Sequence, residues 1–334
     1  MGRSFEVSQP ATHPASAPSP PDVSVVICAY AQERWSDLSR AVSSLLEQTV
    51  PPREIVVAVD HNAGLLERAA AHFQAPVTVV ANEQRAGLAG ARNSGTHATS
   101  AAVVAFLDDD ARAAPDWIEQ LAQPFADPAV LGVGGRIEPD WQAARPRWFP
   151  EEFNWTVGCS YRGLPATAAP VRNMIGANMS VRRDVFDALG GFSENLGRLE
   201  ETDFCIRGTT RYPAGTWLYL PAAVVSHSVT PQRSTWRYFR RRCFNEGLAK
   251  ASMVVGTGHR AGLESERRYV RWILPSGVVR ECLRGLRGDP GGPARAAAIV
   301  IGLAYTTAGF VRGRLRRMLT RVPHHGIPRR GDTP

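Results

Sequence analysis

Strand-forming and helix-forming segments alternate through the N-terminal third of the sequence. Runs rich in Val and Ile, typical of buried strands, cover residues 23–30, 54–60 and 77–81. Apolar residues at helical spacing occupy residues 35–46 and 65–73 between them. Strands that alternate with helices form right-handed βαβ units, which give a parallel sheet. The sequence therefore predicts an α/β fold in which helices flank a mostly parallel sheet.

A fourth apolar run, residues 101–107, leads directly into Asp108, Asp109 and Asp110. Ligands of open α/β sheets bind outside the carboxyl ends of the strands. The three acids are expected there, and so is Asp60, which ends the second run. Adjacent carboxylates repel one another, so partial burial favours a compensating cation. Oxygen ligands of this kind suit Mg²⁺ or Mn²⁺. The alternative is a solvated acidic turn that caps the following helix.

Glycine-rich phosphate motifs are absent from the sequence. The first strand is followed by Cys28-Ala29-Tyr30-Ala31 instead of a Gly-x-Gly-x-x-Gly fingerprint, and no P-loop occurs. A nicotinamide-binding domain, which shares the strand and helix alternation, is therefore disfavoured. Phosphate cradling by a glycine-rich loop is not how this chain holds a ligand.

The net charge of +8 is unevenly distributed. From Arg233 onward the chain holds 21 basic and 6 acidic residues, so the C-terminal third is strongly basic. This predicts an anionic partner, either membrane lipid or nucleic acid, against the alternative of a solvated basic surface. Residues 235–250 interleave aromatic residues with Arg, which suits an interfacial membrane helix as well as single-stranded nucleic acid. The uncharged segment 296–311 is shorter than the ~20 residues of a membrane span, so a core or interfacial helix is expected.

The chain divides into three parts by composition. Residues 1–21, rich in Pro, Ser and Ala, predict a disordered tail without the apolar region of a secretory signal. Residues 22–230 form the predicted α/β domain, and residues 231–334 a basic helical extension. The five cysteines are scattered without a Cys-x-x-Cys pair, which favours a reducing compartment and argues against a zinc site.

Six motifs in this order resemble the inverting nucleotide-sugar glycosyltransferases of family 2. They lie at residues 25–30, 59–60, 82–93, 106–117, 176–180 and 190–194. The resemblance covers roughly residues 22–230 and implies the GT-A, Rossmann-like fold. A weaker resemblance, carried by residues 145–163 and 171–183, points to a prokaryotic subgroup that includes glucuronosyltransferases extending dolichyl-linked sugars.

The resemblance assigns the donor site residue by residue. It implies that Asp60 and the backbone of Ala29 and Tyr30 bind the nucleotide, and that Asp108 and Asp109 adjoin the nucleotide-sugar. Arg92 is expected to contact the diphosphate or hold its loop, with a structural ion pair as an equal alternative. The metal ligands it implies, for Mg²⁺ or Mn²⁺, are Asp108, Asp110 and His227.

An inverting transfer needs a base that deprotonates the acceptor hydroxyl. The family places this base in a Glu-Asp pair, and here the pair reads Glu200-Glu201, so Glu occupies the usual Asp position. The resemblance implies Glu201 as the base, with Glu200 orienting it or shifting its pKa by like-charge repulsion. Asp203 is expected to be structural.

Aromatic residues are dense between the donor half and the base, over residues 145–163. One interpretation is a hydrophobic lid. The other is an acceptor platform, because aromatic faces stack on sugars and also suit a membrane rim. The predicted acceptor contacts are Trp155, Tyr161 and Asn178.

These features predict a metal-dependent glycosyltransferase at the cytoplasmic face of the membrane. Its partners would be a nucleoside-diphosphate sugar, a UDP-sugar first, and a lipid-linked or other cell-envelope glycan acceptor, with peripheral membrane contact. One alternative is a metal-dependent phosphohydrolase or nuclease, which would need further His and Asp ligands for two metals. Another, which the transferase motifs disfavour, is a nucleic-acid-binding protein acting through the basic C-terminal third.

Overall fold

The structure, a computed structural model, describes residues 22–196, 199–256 and 264–320. The predicted tail over residues 1–21 lies outside the described residues. The strands are β1 (Val23–Ala29), β2 (Glu54–Val59), β3 (Val77–Ala81), β4 (Val103–Asp108), β5 (Ala111–Ala113), β6 (Val130–Trp141), β7 (Ala169–Pro170), β8 (Asn178–Arg182) and β9 (Thr216–Val229). The helices are α1 (Trp35–Leu46), α2 (Ala63–His72), α3 (Leu88–His97), α4 (Trp117–Ala122), α5 (Arg183–Ala188), α6 (Glu200–Arg211), α7 (Trp236–Gly256), α8 (Glu264–Arg268), α9 (Leu274–Leu286) and α10 (Gly292–Thr320).

The strands form one sheet in the order β3-β2-β1-β4-β8-β6-β9-β5, and β7 pairs with β9 beside this path. Strands β1 to β4 pair in parallel, as the alternation of strands and helices predicts, and β6 is parallel to β9. Strand β8 runs antiparallel to both of its neighbours, β4 and β6. The α/β class is confirmed, and β8 makes the C-terminal half of the sheet mixed.

Alternate residues of the strands enter apolar cores on opposite faces of the sheet. In β1, Val25 and Ile27 belong to the core that α1 and α4 cover. Val26 belongs to the core that α3, α5 and α6 cover. Because the central strands are buried on both faces, their sequences read as continuous apolar runs. This burial fixes the strand ends, and therefore the acids that follow them, at one edge of the sheet.

The short strand β5 directly follows the acidic triplet and is absent from the sequence prediction. It pairs antiparallel with β9, and Ala111 lies opposite His227. The backbone N–H of Ser228 also donates to the carbonyl of Asp110 at 2.8 Å. This pairing brings two distant parts of the chain together at the end of β4.

The C-terminal helices dock on the sheet domain, a possibility that the sequence left open. Phe239 of α7, Leu274 of α9 and Ile299 of α10 belong to the same core as β1. The aromatic segment before β7 mediates this contact, since the ring centroids of Phe153 and Phe239 lie 5.3 Å apart. The basic extension therefore shares its apolar core with the domain that carries the acidic triplet.

Helix α10 extends beyond the apolar segment that the sequence singles out. It has 29 residues, and Gly292–Arg316 is long and apolar enough to cross a membrane by length and composition, with mean hydropathy 1.5. Residues 296–311 alone are too short to span a membrane, but the whole helix is not. In the most apolar window, 28% of the residues are buried in protein.

Candidate active site

The acidic triplet and His227 meet at the carboxyl end of β4. His227 Nε2 lies 3.2 Å from Asp110 Oδ1 and 4.0 Å from Asp108 Oδ2. Ligand atoms of these three residues lie within 4.8 Å of one another. No second group of three such donors occurs in the described ranges.

The chemistry of this cluster fits a divalent cation. Two carboxylates suit both Mn²⁺ and Mg²⁺, whereas an imidazole ligand suits Mn²⁺ better than Mg²⁺, and Asp108 remains partly exposed toward a cleft. Asp110 Oδ2 is buried without a hydrogen bond among the described residues. Burial disfavours its ionisation, but the hydrogen bond with His227 lowers the pKa of Asp110 to about 2. Asp110 is therefore a carboxylate at neutral pH, as a metal ligand must be.

Asp109 is not part of this donor group and pairs with Arg34. Arg34 Nη1 donates to Asp109 Oδ1 at 2.6 Å, and its Nη2 lies 3.2 Å from Asp110 Oδ2. Burial raises the pKa of Asp109 to about 7, in spite of the charge on Arg34. The same guanidinium lies 5.2 Å from the centroid of the Tyr30 ring. Arg34 therefore connects Asp109 to Tyr30, one of the residues predicted to bind the nucleotide.

The predicted nucleotide residues lie at the ends of β1 and β2. Asp60 accepts hydrogen bonds from Asn82 Nδ2 at 2.6 Å and from the Gly87 N–H at 2.9 Å. These bonds fix the loop that leads into α3. Tyr30 is exposed, whereas Ala29 is buried.

Arg92 of α3 is the buried cation that joins the two halves of the site. Its Nη1 donates to Glu201 Oε1 at 2.9 Å and lies 4.0 Å from Glu200 Oε1. Its Nη2 lies 3.6 Å from Asp108 Oδ1. A Cβ at Gly176 would overlap both Glu201 Oε1 and the guanidinium, so a larger residue there would displace the pair.

The two glutamates at the start of α6 differ in environment. Glu200 is buried, and burial together with the charge of Glu201 raises its pKa to about 7. Glu201 is more exposed and lines the cleft beside Arg92. A group that must accept a proton from an acceptor needs this access, which favours Glu201 over Glu200 as the base.

One cleft of about 1110 Å³ connects these groups. Its lining includes Asp108, Glu201 and His227. It also includes apolar residues of the C-terminal helices, among them Leu303 and Phe310. The cleft therefore joins the candidate metal ligands and base to an apolar wall.

Aromatic side chains of the middle segment also line this cleft. Trp155 Nε1 donates to the hydroxyl of Tyr269 at 3.2 Å, and the ring centroids of Tyr161 and Tyr269 lie 5.4 Å apart. Trp155 and Tyr161, the predicted acceptor contacts, therefore lie in the wall of the cleft.

Asn178 does not reach the cleft. It is fully buried, accepts from Trp117 Nε1 at 2.9 Å, and donates to the carbonyls of Arg136 and Ala223 at 3.0 Å each. Because these bonds occupy the amide inside the sheet, the predicted acceptor contact of Asn178 is replaced by a structural role.

Comparison with known proteins gives the family. The family model described as Glycosyl transferase family 2 matches residues 24–190. A glucosyl-dolichyl phosphate glucuronosyltransferase of Haloferax volcanii is 34% identical over 306 residues, which is 88% of this chain and 96% of that protein. The chain belongs to glycosyltransferase family 2. A pre-mycofactocin glycosyltransferase of Mycobacterium tuberculosis is 31% identical over 269 residues, 79% of this glycosyltransferase and 54% of that protein.

Solved structures identify the fold of this glycosyltransferase as GT-A. A mannosyltransferase from Pyrobaculum calidifontis, solved in complex with GDP-Man and Mn²⁺, superposes with a TM-score of 0.58. The match covers 91% of this chain and 90% of that chain at 18% sequence identity. The GT-A fold predicted from the six motifs is therefore confirmed.

Sequence reasoning missed three residues of this glycosyltransferase site. Arg34 Nη2 and Arg233 Nη1 lie 3.2 and 3.6 Å from Asp110 Oδ2. Tyr269 accepts the hydrogen bond of Trp155 in the lining of the cleft. Arg233 follows His227 closely in sequence, so its proximity was open to inference. Arg34 and Tyr269 carry no local signal, because only tertiary packing brings them to the cleft.

Proposed function

We propose that this glycosyltransferase is a metal-dependent inverting enzyme. It moves a sugar from a nucleoside-diphosphate donor, with UDP-sugars to be tested first, to a lipid-linked saccharide of the cell envelope. The observation that carries the proposal is the single cleft that contains Asp108, Glu201 and an apolar wall. Such a cleft suits a charged donor at one end and a lipid-linked acceptor at the other.

The residues of the cleft divide the chemistry between them. Asp108, Asp110 and His227 would hold Mn²⁺ or Mg²⁺, which supplies positive charge to the leaving diphosphate. Asp60 and the backbone after β1 orient the nucleotide. Glu201 takes the proton of the acceptor hydroxyl, and this single carboxylate is the base that direct displacement with inversion requires.

Arg92 keeps this base in place. Its hydrogen bond holds Glu201 Oε1, while the same buried guanidinium faces Asp108. A buried cation between two carboxylates compensates part of the hydration that burial removes from them and fixes their orientation. The proton acceptor and the donor site are therefore positioned by one side chain.

The acceptor class rests on sequence similarity and on the shape of the cleft. The Haloferax volcanii relative, by its name, acts on glucosyl-dolichyl phosphate, and it aligns over 96% of its length. The apolar wall of Leu303 and Phe310 offers a path for a prenyl chain. We therefore favour a polyprenyl- or dolichyl-phosphate-linked saccharide as acceptor.

Membrane contact at the cytoplasmic face is part of the proposal. The exposed large apolar side chains of the C-terminal part are Val270, Trp272, Val279, Leu283, Leu286, Val300, Val311 and Leu315. Arginines flank them, in a region with 21 basic and 6 acidic residues. Apolar residues that enter the acyl boundary beside cations that meet anionic headgroups suit a helix pair lying in the interface.

The experiment that tests the function is calorimetric titration with UDP, GDP and dTDP, with and without Mn²⁺. Metal-dependent binding of one nucleotide, lost in Asp110→Ala, is the expected result. Transfer from the matching nucleotide-sugar to a dolichyl-phosphate-linked saccharide, with inversion read by NMR of the product, completes the test. Nucleotide binding that is unchanged by Mn²⁺ and by Asp110→Ala would contradict the proposal.

A further inference from the structure

The lining of the cleft contains an acidic group of residues, here called the donor end, and a basic group, here called the basic end. The donor end contains the acids Asp108, Glu200 and Glu201. The basic end is formed by α7, α8, the π-helical turn Tyr269–Ile273 and the loop before β8. Six cations line that end, namely Arg172, Arg242, Lys250, Arg267, Arg268 and Arg271. Only two acids of the described lining, Glu246 and Glu266, lie among them.

The two acids hold three of the cations in fixed positions. Arg172 makes two hydrogen bonds to Glu266, at 2.7 and 2.9 Å. Arg242 Nη1 donates to Glu246 at 2.9 Å. Lys250 Nζ lies between the two acids, 3.4 Å from Glu266 and 3.8 Å from Glu246. The cations are thus pre-organised, and positive charge remains in excess for an anionic ligand.

Lys250 is unusual in this chain. Every other one of the 39 basic residues is Arg, and this single Lys lines the cleft. A lysine ammonium is a compact point charge with three donors, which makes it a common phosphate ligand. The preference for Arg elsewhere in the chain does not extend to this position.

Apolar residues adjoin the basic end. Ile273, Leu274, Leu303 and Phe310 line the same cleft, and Arg242 lies over the Trp155 ring at 5.8 Å from its centroid. A ligand that pairs with the cations and also packs against these apolar residues carries an anionic group on an apolar chain. A phosphate ester of a prenyl lipid has this chemistry.

We infer that the basic end of the cleft is a subsite for the phosphate of the acceptor, with Lys250 and Arg172 as its principal ligands. The inference rests on the proposed function and deepens it, because it states which part of the acceptor is recognised. The phosphate contacts Lys250 and Arg172 from the cleft, beside the Glu266 carboxylate that bridges them, and the prenyl chain continues along Leu303 and Phe310. The saccharide then extends toward Glu201.

The test compares farnesyl phosphate with farnesol by calorimetric titration of the full chain. The wild-type protein is expected to bind farnesyl phosphate about tenfold or more tightly than farnesol, because a charge-assisted hydrogen bond is lost with the phosphate. Lys250→Gln is expected to lower the affinity for farnesyl phosphate about tenfold and to leave the affinity for farnesol unchanged. Lys250→Arg is expected to retain most of the affinity for farnesyl phosphate. Arg287→Gln, which removes an exposed cation outside the cleft lining, is the matched control and leaves both affinities unchanged. Equal affinity for the two ligands, or equal losses in Lys250→Gln and Arg287→Gln, would overturn the inference.

Two further measurements distinguish this subsite from a membrane-binding surface and from the donor end of the cleft. Phosphatidylglycerol vesicles test whether the phosphate comes from a membrane headgroup, and Lys250→Gln is expected to bind them as the wild-type protein does. A selective loss of vesicle binding in Lys250→Gln would overturn the assignment to the acceptor. Titration of Lys250→Gln with the nucleotide and Mn²⁺ reports on the donor end separately. If the wild-type protein binds no nucleotide but discriminates farnesyl phosphate through Lys250, the proposed function fails and the phosphate subsite stands.

Discussion

Arg92 Nη1 donates to Glu201 Oε1 at 2.9 Å although α3 and α6 are more than 100 residues apart in sequence. The guanidinium is 2% exposed and also lies 3.6 Å from Asp108 Oδ1. Three carboxylates, counting Glu200, therefore surround one buried cation. A divalent cation at Asp108 would bring this group close to neutrality, so the donor metal and the base share one electrostatic environment.

The first prediction concerns the base. Glu201→Gln should keep nucleotide binding and lower turnover by roughly 10²–10⁴, the usual weight of general base catalysis. Steady-state rates and calorimetry on the same preparation measure both quantities. Glu200→Gln is the matched control and should retain more activity. Full activity in Glu201→Gln beside a large loss in Glu200→Gln would reverse the assignment.

A second prediction concerns the space that Gly176 provides. A methyl group there overlaps Glu201 Oε1 and Arg92, so Gly176→Ala should displace the pair and reduce turnover about tenfold or more. Gly64→Ala in α2 is the control, since its methyl group meets chiefly the end of the Gln32 side chain. Rates and circular dichroism of both variants are compared. Equal rates in the two variants would show that the Arg92 and Glu201 pair tolerates displacement.

A third prediction follows from the raised pKa of Glu200. Its pKa is 4.5 in the unfolded reference and about 7 in the folded protein, chiefly because of burial. The folded state therefore binds the proton more tightly, so stability falls as pH rises from about 4.5 to 7 and stays reduced above that range. Glu200→Gln removes this effect. It should raise the free energy of unfolding at pH 8 by roughly 2–3 kcal/mol and leave it unchanged near pH 4.

Urea unfolding in the presence of EDTA measures this difference without a bound cation. Comparison at the two pH values is an internal control, because a general stabilisation by glutamine would appear at both. A stability difference that is the same at pH 4 and pH 8 would show that Glu200 ionises normally in the folded protein.

A fourth prediction concerns the exposed apolar surface of the C-terminal helices. Trp272 and Leu286 are 65% and 85% exposed. The double variant Trp272→Ser, Leu286→Ser should bind anionic vesicles about tenfold or more weakly, because each side chain buries apolar area in the acyl boundary. Leu46→Ser with Val50→Ser, which removes exposed apolar residues of the sheet domain, is the control. Vesicle sedimentation measures both, and equal losses would contradict a specific docking face.

The strand and helix pattern of residues 23–81 was readable because burial on both faces of a parallel sheet leaves continuous apolar runs. The predicted helix over residues 35–46 matches α1, and the predicted strand over residues 77–81 matches β3. The family resemblance also singled out Asp108, Asp110 and His227, whose ligand atoms lie within 4.8 Å of one another. Local sequence is informative here because Asp108 and Asp110 stand at the carboxyl end of β4.

Other parts of the site depended on pairings that local sequence does not encode. Strand β5 has three residues and pairs with β9, which sets Ala111 opposite His227 and brings the neighbouring Asp110 within 3.2 Å of the imidazole. Asn178 belongs to a family motif, but its amide is used within the sheet.

The sequence by itself determined the α/β class, the acids at the strand ends and the basic C-terminal third, because these depend on residues adjacent in the chain. Only the tertiary structure decided that Arg92 joins Asp108 to Glu201 and that Lys250 faces the same cleft as the base. Those contacts connect elements far apart in sequence. They form because the buried sheet and the docked C-terminal helices fix where each side chain points, and no local pattern carries that information.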